Sequence, residues 1–131
     1  MGERMTYFPR HELECPCCHQ YRMEPGFVAM LNDIRGRWGG MKVNSACRCT
    51  KHNKEVGGEA KSYHLLDLPS RKHGACAADI VVPKERQQEF VDLVHSVYPA
   101  VSTIQYPARG FVHIDDRARV YGAAVYDAVV K

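Results

Sequence analysis

Phe111-Val112-His113-Ile114-Asp115 alternates with a period of two, and Ala75-Cys76-Ala77-Ala78-Asp79-Ile80-Val81-Val82 is a small-residue apolar run that ends at Pro83. Both read as strands, and together they decide the fold. Successive strand residues point to opposite faces, so His113 and Asp115 share one face while Val112 and Ile114 turn to the core. A carboxylate at Asp79 within so apolar a run is costly unless a partner compensates it, and a cation is such a partner. Ser62-Tyr63-His64 adds a second imidazole upstream. Two histidines and one carboxylate are a usual catalytic zinc set, because three protein ligands leave the fourth position for water. On the residues alone, His64, Asp79 and His113 point to a metal-dependent hydrolase.

Working outward, Pro107-Ala108-Arg109-Gly110 predicts the turn of a hairpin between 102–106 and 111–115. Phe90, Leu93, Val94 and Val97 recur at helical spacing before Pro99, and Phe27, Met30, Leu31, Ile34 and Trp38 do so after Pro25. Gly39-Gly40 ends that first helix. Residues 41–46 form a short strand candidate leading to Arg48. Thr50 is placed to cap a brief helix that Gly57-Gly58 stops. Residues 59–74 look irregular, which sets His64 at a loop-to-strand edge. The last fourteen residues alternate weakly and fit either a strand or a helix. The expectation is one α+β domain over 1–131, with helices against an antiparallel sheet.

Size and charge bound the rest. A chain of 131 residues has room for one domain and none for a separate wall-binding module. No run approaches the roughly 20 apolar residues of a membrane span. The first twenty residues lack the apolar core of an export signal, so synthesis in the cytoplasm is expected. Met1-Gly2-x3-Thr6 is too short a match to a myristoylation pattern to carry weight. A net charge of +3 reads as a solvated basic face rather than a nucleic-acid footprint. The chain is expected to be a monomer that binds neither nucleic acid nor membrane.

Six cysteines without an export signal do not predict a disulfide framework. Cys15, Cys17 and Cys18 sit together and Cys47 and Cys49 form a second group, which together could hold a structural zinc. The competing reading is small buried thiols.

Ser45-Ala46-Cys47-Arg48, His52-Asn53, Val56-Gly57-Gly58, Ser62-x-His64, Ala77-Ala78-Asp79-Ile80 and His113-Ile114-Asp115-Asp116-Arg117 follow one another in a recognisable order. From about Phe8 to Arg117 the chain resembles the zinc D-alanyl-D-alanine carboxypeptidases, especially short phage and prophage members acting on peptidoglycan. That resemblance implies zinc on His64, Asp79 and His113. It also implies that Arg48 binds the substrate carboxylate or the oxyanion, and that Ser62 orients the peptide or a ligand histidine. Cleavage of stem peptides would follow, on the cell wall after release or as part of a virion.

The pattern departs from the family in two places. Relatives place the first histidine seven residues before the aspartate, whereas here the separation is fifteen. His73, six residues before Asp79, is therefore a rival to His64. Many relatives also carry an acid three residues before the last histidine, and here that residue is Gly110. Asp115 is the substitute candidate for the general base, or else a partner that orients an imidazole. Asp116 should face away. His52 is expected to help shape the site, and His11 and His95 to be solvated. Two other functions stay open. One is a non-catalytic zinc-stabilised binding module, since hedgehog signalling domains share this type of site and fold does not dictate catalysis. The other is a small Cys/His nucleic-acid protein, which leaves Asp79 and His113 unexplained.

Overall fold

The computed structural model describes residues 8–131, so the Met1-Gly2 pattern lies outside the described residues. Five strands form one sheet in the order β1-β2-β4-β3-β5. These are β1 (Val43–Ser45), β2 (Ala77–Val81), β3 (Ser102–Tyr106), β4 (Phe111–Asp115) and β5 (Asp127–Val129). The central pairings are antiparallel, as expected, while β3 and β5 run parallel. The C-terminal segment resolves the helix-or-strand ambiguity by being both: α5 (Arg117–Tyr121), then β5.

One face of the sheet is the core face. Ala78, Ile80, Val112 and Ile114 are fully buried there, in one cluster with Phe27, Leu31, Ile34, Phe90 and Val94. Those partners come from α2 (Pro25–Trp38) and α4 (Gln87–Val97). α2 presents its apolar side at the spacing read from sequence, whereas α4 buries Val91 beside Phe90 and Val94 and leaves Leu93 and Val97 half-buried. Trp38 meets Phe90 edge to face at 5.1 Å, joining the two helices over the sheet. Pro25 stands at the first turn of α2, where Glu24 caps the Phe27 amide at 2.8 Å.

The opposite face of β2 and β4 carries Asp79, His113 and Asp115 among Ala77, Val81 and Phe111. β4 follows a tight turn closed by Gly110 in the left-handed region (φ 73), and β2 pairs with it in a register that sets Asp79 directly across from His113. The period-two pattern thus delivers two polar side chains to one spot. Between β1 and β2 runs α3 (Thr50–Glu55) and then irregular chain. Thr50 is not the cap of α3. Cys49 holds that position, with its sulfur facing the His52 amide at 3.4 Å, and the Thr50 hydroxyl bonds Asp67 at 2.7 Å.

Candidate metal centre

Asp79, His64 and His113 converge. Asp79 Oδ1 lies 3.2 Å from His64 Nε2 and 3.0 Å from His113 Nδ1. Ligand atoms around a tetrahedral zinc with 2.0–2.1 Å bonds stand about 3.3 Å apart, so Asp79 stands at coordination-shell spacing from both imidazole nitrogens, and all three donors lie within 4.8 Å of one another. Each imidazole is also fixed from behind. The Nδ1–H of His64 donates to the Ala46 carbonyl at 2.7 Å, and the Nε2–H of His113 donates to Asp115 Oδ2 at 2.7 Å. These bonds select the tautomers, leaving the lone pairs of His64 Nε2 and His113 Nδ1 aimed at Asp79. Two lone pairs facing a carboxylate oxygen repel unless a cation stands among them. The donor set therefore fits zinc.

The electrostatics agree. Burial holds His64 below its ordinary value, in the neutral form a ligand needs, although Asp79 opposes this. Burial disfavours an ionised Asp79, yet His64 and His113 keep it far below the carboxylate range. His113, for which burial also favours the neutral form, is raised to about 9 by Asp115 and Asp79. In the metal-free protein a proton on His113 thus takes the place of the cation.

Around the three ligands the chain builds a second layer of contacts. The peptide groups of Arg48 and 64–66 pair: the Arg48 amide donates to His64 O at 2.8 Å, and the Leu66 amide to Arg48 O at 2.9 Å. The Arg48 side chain then reaches Asp79 Oδ2 at 3.3 Å, Ser45 Oγ at 3.1 Å and Asn53 Oδ1 at 3.1 Å. Arg48 therefore orients the Asp79 carboxylate. Among the described residues three of the five Arg48 N–H groups are used, which leaves two. Ser62 Oγ accepts from the His64 amide at 3.1 Å, so Ser62 shapes the turn that delivers His64.

Asp115 is fully buried, and both its oxygens are engaged. Oδ2 accepts from His113 and from Arg117 at 2.7 Å, while Oδ1 accepts from the Arg117 backbone and Nε. Arg117 lies over Tyr63 at 4.6 Å. Of the two readings of Asp115, this geometry favours the one that orients an imidazole. Burial would raise its pKa, but Arg117 and His113 hold it down at about 2. Asp116 points elsewhere and pairs with Arg119.

Other expected residues fall into different settings. His73 is exposed and stacks against Tyr121 at 5.6 Å, apart from the three ligands. His52 faces Glu55 and lines the cleft, but Asn53 beside it does the shaping. Asn53 is buried, accepts from Arg48, and donates to the Glu59 carbonyl at 2.8 Å. His95 is half-buried and bonded to the Val101 carbonyl at 3.0 Å rather than solvated. Glycine at 58 is also explained: a Cβ there would fall 2.1 Å from Asn53 Oδ1 and 2.8 Å from an Arg48 nitrogen. Sequence reading missed Asn53, although its place beside His52 in the His-Asn motif was a signal for it.

His64, Asp79 and His113 line a cleft of about 1230 Å³. Arg48, Lys61, Arg109 and Arg117 line it together with Tyr63, Tyr106 and Tyr126. A family model described as peptidase M15 matches residues 7–115. The chain belongs to the peptidase M15 family. It is accordingly a metallopeptidase, and M15 peptidases are zinc-dependent. No curated protein and no solved structure matches this M15 peptidase. Among its described residues no helix is long and apolar enough to cross a membrane.

Proposed function

We propose that this M15 peptidase hydrolyses peptide bonds in peptidoglycan stem peptides, with zinc held by His64, Asp79 and His113. The observation that carries the proposal is the convergence of those three donors, their outer atoms already bonded, at the floor of a cation-lined cleft. Zinc, when bound, supplies a Lewis acid that polarises a scissile carbonyl and activates water.

The chain's own residues do the rest. Arg48 offers its two remaining N–H groups to a peptide carboxylate or to the oxyanion, a task suited to a planar multi-donor cation. Arg109 and Lys61 extend positive charge along the cleft, which suits an acidic stem peptide ending in a free carboxylate. Asp115 keeps His113 in the ligand tautomer and so acts as a positioning residue. A proton acceptor elsewhere in the cleft is then needed. Glu59 lines the cleft, and its charge acts on Tyr106 together with that of Asp79. We assign it the role of taking a proton from the attacking water and delivering it to the leaving amine. Carboxypeptidase and endopeptidase cleavage need the same groups and differ in what the far end of the cleft accepts.

The test is digestion of purified muropeptides by the zinc-loaded protein, with products separated chromatographically and His113→Ala as control. Release of a terminal D-alanine or of a cross-linked partner is expected from the parent only. Binding of muropeptides without any cleavage would favour the zinc-stabilised binding module instead.

A further inference from the structure

The sulfur atoms of Cys15, Cys18 and Cys49 lie within 4.8 Å of one another, apart from the His64/Asp79/His113 centre. Cys15 and Cys49 are buried and Cys18 is exposed. A tight turn brings the first two together: the His19 amide donates to Cys15 O at 2.8 Å, and the Cys15 amide to Gln20 O at 2.9 Å. His19 takes a positive φ of 60 to complete it. Amide groups also point at sulfur. The Cys49 amide lies 3.3 Å from Cys15 Sγ and the His52 amide 3.4 Å from Cys49 Sγ. Donors aimed at a sulfur favour thiolate over thiol.

We propose that Cys15, Cys18 and Cys49 hold a second, structural metal ion, a thiolate-bound divalent cation of the zinc class. Sulfurs around a tetrahedral zinc with 2.3 Å bonds stand about 3.8 Å apart, within the 4.8 Å limit that the three sulfurs keep. A disulfide fits the cluster poorly, because pairing two of three mutually adjacent sulfurs strands the third.

The location gives such an ion a task. Cys49 directly follows Arg48 and caps α3, which carries Asn53. Cys15 follows α1 (Arg10–Leu13), which is tied to the same connection by the Cys47 amide donating to Leu13 O at 3.0 Å. A metal here fastens the N-terminal arm to the turn that presents Arg48, so it would support the cleft without touching substrate.

Cobalt(II) reconstitution of the reduced full-length protein tests this. The parent should bind two equivalents and show intense thiolate-to-cobalt charge-transfer absorption. That absorption should persist in His64→Ala/His113→Ala, which removes the other centre, and vanish in Cys18→Ser/Cys49→Ser. If the cysteine variant fails to fold, the parent and the histidine variant still decide. A parent without the thiolate absorption, its cysteines all titrating as free thiols, overturns the proposal. So does absorption that survives in the cysteine variant. Failure of either kind leaves the histidine centre untouched.

Discussion

His113 Nε2 and Asp115 Oδ2 lie 2.7 Å apart, two residues along one strand, on the side of the imidazole away from Asp79. The strand period makes this contact, since residues two apart rise about 6.5 to 7 Å along a face and the histidine ring spans the gap. Asp115→Asn removes the charge that fixes the His113 tautomer and turns an amide N–H toward Arg117 or His113. Loss of such a partner commonly costs about 10- to 100-fold in metal affinity or activity. Competition with a chromophoric chelator should show weakened zinc binding. Unchanged affinity with lost cleavage would instead return Asp115 to the role of general base.

Zinc stoichiometry should separate the two rival histidines. His64→Ala deletes a donor 3.2 Å from Asp79, and the buried ion it leaves behind has too few ligands. His73→Ala removes only a ring resting on Tyr121. Elemental analysis should find the His64→Ala centre empty and the His73→Ala centre filled, after allowing for any cysteine-bound metal.

Glu59→Gln should keep both metal and fold, because the Glu59 contact that matters to Asn53 is through the backbone carbonyl. Removal of a positioned general base typically lowers the rate by about 10²- to 10⁴-fold. Muropeptide cleavage at saturating zinc is the measurement, and a near-parental rate excludes this residue.

A methyl group at position 58 should act through Arg48. Gly58→Ala drives a carbon into the Asn53–Arg48 contact, and overpacking of this kind costs roughly 1–3 kcal/mol. Reduced thermal stability and poorer cleavage are expected with zinc content preserved. Parental kinetics would mean that the arginine does not depend on Asn53 for its pose.

Acid and metal compete for His113. In the metal-free protein its pKa is raised to about 9 from an ordinary value near 6.5. The stabilisation from its proton is therefore complete below about pH 6.5 and lost as pH rises through 9. Metal binding requires the neutral ring, so zinc affinity should rise over the same interval. Denaturant titrations of apo and zinc-loaded protein between pH 6.5 and 9 should diverge, the apo form losing stability as the gap to the loaded form widens. Parallel curves would show that His113 is not protonated in the apo state.

The strands and helices were legible because their patterns are local. Period two over 111–115 and the apolar spacing from Phe27 to Ile34 each need only their own segment. The helix cap was misplaced by one residue, since a cysteine sulfur facing the His52 amide leaves no distinctive sequence trace beside the more familiar Thr50. Asn53 was overlooked for a different reason. Its importance lies in bonds to Arg48 and to the Glu59 carbonyl, which exist only once α3 has folded back. His64, Asp79 and His113 were readable as candidate donors from residue type and apolar setting, but the contacts of Asp115 with His113 and Arg117 appear only in the folded chain.

The segment between His64 and Asp79 is anchored at both ends and in the middle. Leu65 bridges to Arg48, Ala75 bridges to Met23, and the guanidinium of Arg71 binds the carbonyls of Lys61 and Ser62 while stacking on Tyr63 at 4.0 Å. His64 and Asp79 are therefore each held by local contacts rather than by the number of residues between them. Evolution can lengthen or shorten the chain here while the coordination geometry stays put. An engineer can likewise graft a binding peptide between Asp67 and Ser70 and place it beside the Tyr63 edge of the cleft.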